Sequence, residues 1–211
     1  MKVLCCDPEK GKRSTHKTYE VPYSRREKVL GSLIYIHQHL DPCLSFRFNC
    51  KGRHCGECAI TINGRPGLAC EVSMSRELVL EPLKNLPLLK DLVIHRTEVC
   101  KKMIEGLPRV GIHEKKSNRL RAIPLDVVDR VMRLEGCIQC LCCLSVCPVY
   151  KKEVESFTGP MGLLSLAASK EMMPDLKAHE QPQLCTECGR CEDVCPRRIP
   201  ILKAIRQLKG R

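Results

Sequence analysis

The chain has 211 residues, a formal charge of +12, 17 cysteines and no tryptophan. That length suits one large domain or two small ones, and an aromatic content of 3% leaves few large anchors for a core. No run of 18 apolar residues exists, so a membrane span is not expected.

In chain order, THKTYEVPY has partial strand character, and KVLGSLIYIHQHL carries Val29, Leu30, Leu33, Ile34 and Leu40 near helical spacing. LSFRF (44–48) alternates like a strand. CAITI (58–62) and LAC (68–70) flank the turn Asn63-Gly64, a hairpin signal. Folding back about that turn brings Cys70 nearly opposite Cys58. SRREKVL (24–30) has the look of a twin-arginine export signal, but His37, Gln38 and His39 break the stretch after it. Beyond residue 96 the character changes. TEVCKKMIEGL, PLDVVDRVMRLEG, GPMGLLSLAASKEM and IPILKAIRQLKG suit helices punctuated by Gly and Pro. HEKKSNRLRA (113–122) reads as an exposed connecting loop. Two domains follow: a β-rich one over residues 1–95 and a helical one over 96–211.

Cysteine carries the chemistry. A secreted disulfide scaffold fits poorly, because the count is odd, no apolar leader follows Met1-Lys2 and many cysteines stand three residues apart. Metal-bound thiolates in a reducing compartment fit better. Three sets stand out. Cys50, Cys55 and Cys58 have the C-x4-C-x2-C spacing, with Cys70 further on, which matches a plant-type 2Fe–2S site. Gly52 and Gly56 there can take positive φ and turn backbone N–H groups toward the sulfurs. CIQCLCCLSVCP and LCTECGRCEDVCP both fit C-x2-C-x2-C-x3-C-P, in which three close thiols hold one 4Fe–4S cube and the fourth crosses to the other. One cube is therefore assigned to Cys137, Cys140, Cys143 and Cys195, and the second to Cys185, Cys188, Cys191 and Cys147. Isolated CxxC pairs commonly hold structural zinc, but zinc requires neither a third cysteine three residues on nor a CP ending. Cys5, Cys6, Cys43, Cys100 and Cys142 have no motif partner and read as small buried hydrophobes.

The basic charge admits nucleic acid, an acidic membrane surface or an acidic protein as partner. Three oxidised clusters with their thiolates carry roughly −2 each, removing about half of the excess. A basic nucleic-acid-binding protein with structural clusters is thus the reading from another class, and no RNA-binding aromatic motif or zinc-finger spacing supports it. His37 and His39 point to different helix faces and do not form a haem pair. GKRS (11–14) lacks the preceding glycine of a phosphate-binding loop. With no nucleophile–base pair and no dinucleotide fingerprint, the chain has no catalytic site of its own to offer.

CGECAITINGRPGLAC (55–70), PLKNLPLLKDLVIH (82–95), CIQCLCCLSVCPVY and CEDVCPRRIPILKAI together resemble the iron–sulfur subunit of the succinate dehydrogenase/fumarate reductase family over nearly the whole chain. The resemblance implies an α+β fold, with a β-grasp 2Fe–2S ferredoxin domain followed by an α-helical ferredoxin domain. It implies one 2Fe–2S and two cubane-type centres that relay electrons from or to a flavoprotein carrying FAD, with the 2Fe–2S site nearest the flavin. It also implies a soluble subunit, cytoplasmic or peripheral on that face of the membrane. Two departures stand out. Most family members lack a cysteine at the position of Cys188 and carry a 3Fe–4S centre there, whereas Cys188 predicts a complete 4Fe–4S cube. Quinone-linked members have a tryptophan shortly after the second motif's CP, where this chain has Lys151 and Lys152, and a histidine often stands at the position of Thr186. The second partner is then either a quinone-binding membrane anchor or a heterodisulfide-reductase-like, cysteine-rich protein.

Overall fold

The structure is a computed structural model that describes residues 1–7, 11–105, 123–153, 155–173, 176 and 181–210. The N-terminal half is built on a mixed five-stranded sheet. Its strands are β1 (Lys2–Asp7), β2 (Lys12–Thr18), β3 (Ala59–Ile62), β4 (Arg65–Leu68) and β5 (Val79–Glu81), in the order β2-β1-β5-β3-β4. β1 and β5 run parallel, and the other pairs are antiparallel. Parallel neighbours need a long crossover, and the crossover contains α1 (Val29–His39), the β3–β4 hairpin and the first cysteine loop. Val29, Leu30, Leu33 and Ile36 of α1 recur at helical spacing and share one core with Val3, Ile60, Leu68 and Leu80. A two-stranded ribbon, β6 (Leu88–Lys90) and β7 (Val93–Ile94), leads out of this half.

The Asn63-Gly64 hairpin forms as expected. Both residues take positive φ, 49° and 80°, and Ala59 pairs with Leu68. Residues 44–48 do not form the expected strand. Their backbone is engaged elsewhere: the N–H of Ser45 donates to Asp91 Oδ2 at 2.9 Å, and Ser45 O accepts from the N–H of Leu92 at 3.2 Å. The alternation in LSFRF instead buries Leu44 and stacks Phe46 on Phe48.

The C-terminal half is helical: α2 (Arg96–Glu105), α3 (Leu125–Glu135), α4 (Cys142–Ser145), α5 (Pro148–Lys152), α6 (Gly159–Met172), α7 (Gln181–Leu184), α8 (Arg190–Asp193) and α9 (Ile201–Leu208). The four longer helices were legible from apolar spacing, and the short ones lie around the cysteine motifs. The stretch expected as a loop at 113–122 lies outside the described residues. α6 is buried on nearly every side, from Gly159 to Leu164 and from Leu166 to Ala168, and α2, α3, α4 and α9 pack around it. α9 presents Ile201, Ala204, Ile205 and Leu208 to that core. Each fully buried Ile or Leu there contributes roughly 1.5–3 kcal/mol. Among the described residues no helix is long and apolar enough to cross a membrane.

Candidate iron–sulfur sites

The first cysteine set lies on the loop between Asn49 and β3, with its fourth member just beyond β4. Cys50 is exposed, Cys55 half-buried, and Cys58 and Cys70 buried. The sulfur of Cys50 accepts from the N–H groups of Gly52, His54 and Cys55 at 3.4, 3.3 and 3.4 Å. Those donors, Gly52 first, lower the Cys50 thiol to about 6. The loop achieves this with left-handed residues, but not the expected pair of glycines. Gly56 stands at φ 71°, whereas Lys51 (54°) and Arg53 (65°) take the turns beside Gly52. The hairpin brings the remaining two thiols together: the N–H of Ala69 donates to Cys58 O at 3.0 Å, and the Cys58 and Cys70 side chains meet. Burial pushes the Cys58 thiol up to about 12.

The second and third sets share one local design. In each motif the residue before the second cysteine, Gln139 or Glu187, takes positive φ (51° and 55°), and so does the residue after it, Leu141 or Gly189 (67° and 80°). The turn aims a backbone N–H at the first sulfur: Glu187 N–H donates to Cys185 Sγ at 3.4 Å, and Gln139 does the same for Cys137. Each motif then closes in a four-residue helix, α4 or α8. Cys147 caps α5 by accepting from the N–H of Tyr150, with Pro148 at the first helical position, where a missing N–H costs nothing.

The fourth cysteines cross over. A narrow apolar cavity is lined by Cys137, Cys140, Cys143 and Cys195 together, with Met161 and Leu164 among its walls. On the other side, Cys147 and Cys191 each lie within electrostatic reach of Cys185 and Cys188. Burial raises Cys143, Cys147 and Cys191, the last to about 12. Cys140 goes the other way, to about 7, because the Cys142 side chain donates to it and Arg96 adds positive charge nearby. The donor set fits three clusters: soft thiolates in fours, sulfur-directed N–H groups, and an apolar shell around the middle set. No disulfide joins any of the 17 cysteines. Among those outside the three sets, Cys142 is buried beside Cys140, whereas Cys43 is exposed rather than a buried hydrophobe.

Several residues at these sites carried no sequence signal. Arg96 opens α2 with only 14% of its side chain exposed. It donates to Gly56 O at 3.3 Å and to Gln139 O at 2.9 Å, and lies 3.6 Å from Glu57. Lys209, just past the end of α9 and 6% exposed, donates to Cys185 O at 2.7 Å and to Glu187 Oε1 at 2.9 Å, where Arg206 also pairs with Glu187. Gly56 comes so close to the second motif that a Cβ there would stand 2.6 Å from Ile138 O and 3.0 Å from Cys140 Cα.

A sheet-based cysteine loop followed by two interlocked cysteine motifs in a helical half defines an iron–sulfur protein of the multi-cluster class. Residues 1–101 match the 2Fe-2S iron-sulfur cluster binding domain family, and residues 133–199 match the 4Fe-4S dicluster domain family. The fumarate reductase iron-sulfur subunit of Mycobacterium tuberculosis is 32% identical, over 99% of this chain and 90% of its own length. One subunit of the CoM/CoB fumarate reductase of Methanothermobacter marburgensis is 32% identical over 95% of this chain. The chain spans only 41% of that relative's length. Among solved structures, a chain of the Mycobacterium smegmatis Sdh1 complex in the apo form superposes with a TM-score of 0.87 at 25% identity, covering 100% of this chain and 93% of that one. The chain belongs to the succinate dehydrogenase/fumarate reductase iron–sulfur subunit family.

Proposed function

We propose that the chain relays electrons between a FAD-containing flavoprotein of the succinate/fumarate type and a second redox partner, through one 2Fe–2S and two 4Fe–4S clusters. The ligands are Cys50, Cys55, Cys58 and Cys70 for the first. Cys137, Cys140, Cys143 and Cys195 hold the middle cube, and Cys185, Cys188, Cys191 and Cys147 the terminal one. The crossed placement of Cys195 and Cys147 carries this reading. When bound, the clusters supply one-electron carriers, and the chain's own part is to hold, space and insulate them. The parallel β1–β5 pair with α1 in its crossover supports a β-grasp domain over 1–95, ahead of a helical ferredoxin domain over 96–211.

Exposure supports a wire with two ends. Cys50 and Cys188 are exposed, whereas Cys140 and Cys143 between them are buried. Just before Cys50 in the chain, Phe46 and Phe48 stack at 5.7 Å, and Lys51 lies over the Phe48 ring at 5.6 Å, a surface suited to a protein partner. The flavoprotein docks there in this reading. At the other end, Cys188 completes a four-thiol set, and Lys151 and Lys152 are exposed where quinone-linked relatives place tryptophan. The second partner is then either a quinone-binding membrane anchor or, as the alternative these two features keep open, a heterodisulfide-reductase-like protein. The subunit then works in the cytoplasm, free in that compartment or peripheral to its membrane.

Exchange of the crossing cysteines tests the ligand sets. Cys195→Ser is expected to alter the EPR signal of the middle cube and spare the terminal one, and Cys147→Ser the reverse. Both variants damaging the cube of their own motif would overturn the assignment.

A further inference from the structure

The repeated backbone of the two motifs makes Ser145 and Asp193 equivalent residues, each ending a short helix two positions before a crossing cysteine. The last carbonyls of a helix have no intrahelical partner and must be satisfied from outside. Here the donors come from the other half of the chain. Asn85 Nδ2 donates to Ser145 O at 2.8 Å, and Arg65 Nη2 donates to Asp193 O at 2.5 Å. The third such bond runs from Arg96, at the junction of the halves, to Gln139 O, between Cys137 and Cys140. The same guanidinium holds Gly56 O of the first cysteine loop. These bonds therefore reach the first cysteine loop, the Cys137–Cys140 loop and both residues that lead into the crossing thiols.

The geometry points to Arg65, Asn85 and Arg96 as positioning residues, through which the N-terminal half holds Cys195, Cys147 and the Cys137–Cys140 loop in cluster-binding geometry. The inference rests on the crossed ligand sets proposed above. The helical half then depends on the sheet half for more than proximity of its clusters. Arg96 has a second consequence. Its fork joins the loop of the 2Fe–2S site to the loop of the middle site, and so fixes the spacing across which an electron must pass. A lysine there keeps the charge but cannot bond two carbonyls in a fixed plane.

The test uses the full chain, purified anaerobically with its clusters, as wild type, Arg65→Met, Asn85→Ala, Arg96→Met and Arg96→Lys. Iron release to a chelator, EPR of the reduced protein and an EPR-monitored redox titration are the readouts. Arg65→Met is expected to release the iron of the middle cube several-fold faster, and Asn85→Ala that of the terminal cube. Both Arg96 variants are expected to weaken the magnetic interaction between the 2Fe–2S and middle centres. Arg96→Lys alone is expected to keep the middle cube's midpoint potential near that of wild type. If Arg65→Met fails to load, Arg65→Lys, which retains a donor, restores the middle cube, and failure to restore it counts against the inference. A wild type without two cubes overturns the ligand sets and this inference with them. A fully loaded wild type whose variants match it in iron release and EPR overturns this inference alone.

Discussion

Gly56→Ala perturbs the point where the first cysteine loop meets the second motif. Gly56 sits at φ 71°, and a Cβ would meet Ile138 O at 2.6 Å and Cys140 Cα and Cβ at 3.0 Å. Two costs add. Left-handed backbone costs a residue with Cβ roughly 1–2 kcal/mol. Overpacking against atoms that cannot rotate away costs roughly 1–3 kcal/mol. Gly64→Ala is the matched control, because Gly64 has φ 80° and nothing within 4 Å of its Cβ position. The control therefore carries the backbone cost alone. At roughly 2–4 °C per kcal/mol for a chain of this size, Gly56→Ala is expected to lower the melting midpoint by about 2–12 °C more than Gly64→Ala. Differential scanning calorimetry of the loaded proteins reads the difference, and EPR reads whether the middle cube is disturbed. Equal midpoints with an unchanged middle signal would refute the close approach of the two loops.

Other outcomes follow from the same contacts. Cys188→Ser is expected to leave a three-iron terminal centre with its own EPR signal in the oxidised protein, whereas Cys142→Ser leaves the iron count unchanged. Lys209→Met removes a nearly buried ammonium from Cys185 O and Glu187, and is expected to cost about 1–3 kcal/mol and to speed iron loss from the terminal site. Asp41 accepts from Lys17 Nζ at 2.8 Å and from Tyr19 Oη at 2.7 Å. Lys17 above all, and then Tyr19, hold its carboxyl below the usual range. A depressed folded-state pKa contributes stability above the unfolded value of about 4 and loses it as pH falls through the folded one. The advantage of wild type over Asp41→Asn in melting temperature is therefore expected near neutrality and should vanish as pH drops below 4.

Sequence patterns marked three cysteine sets and located the Asn63-Gly64 hairpin, α1 and the four longer C-terminal helices, because thiol spacing, turn chemistry and apolar periodicity are local properties. β1 was not read as a strand, and β5, β6 and β7 were not legible, since two or three residues are too few for a period. Residues 44–48 alternate convincingly, but Asp91, more than forty positions away, binds their backbone instead of a neighbouring strand. The turns at Lys51 and Arg53 escaped for a different reason: cysteine-directed N–H groups hold long side chains at positive φ, where glycine is the local expectation. Arg65, Arg96 and Lys209 look like any other basic residue among 36. Only the carbonyls they reach distinguish them, and those lie on other segments of the chain.

The most direct test of a three-cluster wire is EPR of the anaerobically purified chain, as isolated and after dithionite, with iron and zinc counts. The expected result is about ten irons per chain, no three-iron signal when oxidised, and two interacting 4Fe–4S centres when reduced. A three-iron signal as isolated that added iron does not convert would contradict it, leaving Cys188 outside the terminal cluster and restoring the case for a quinone partner.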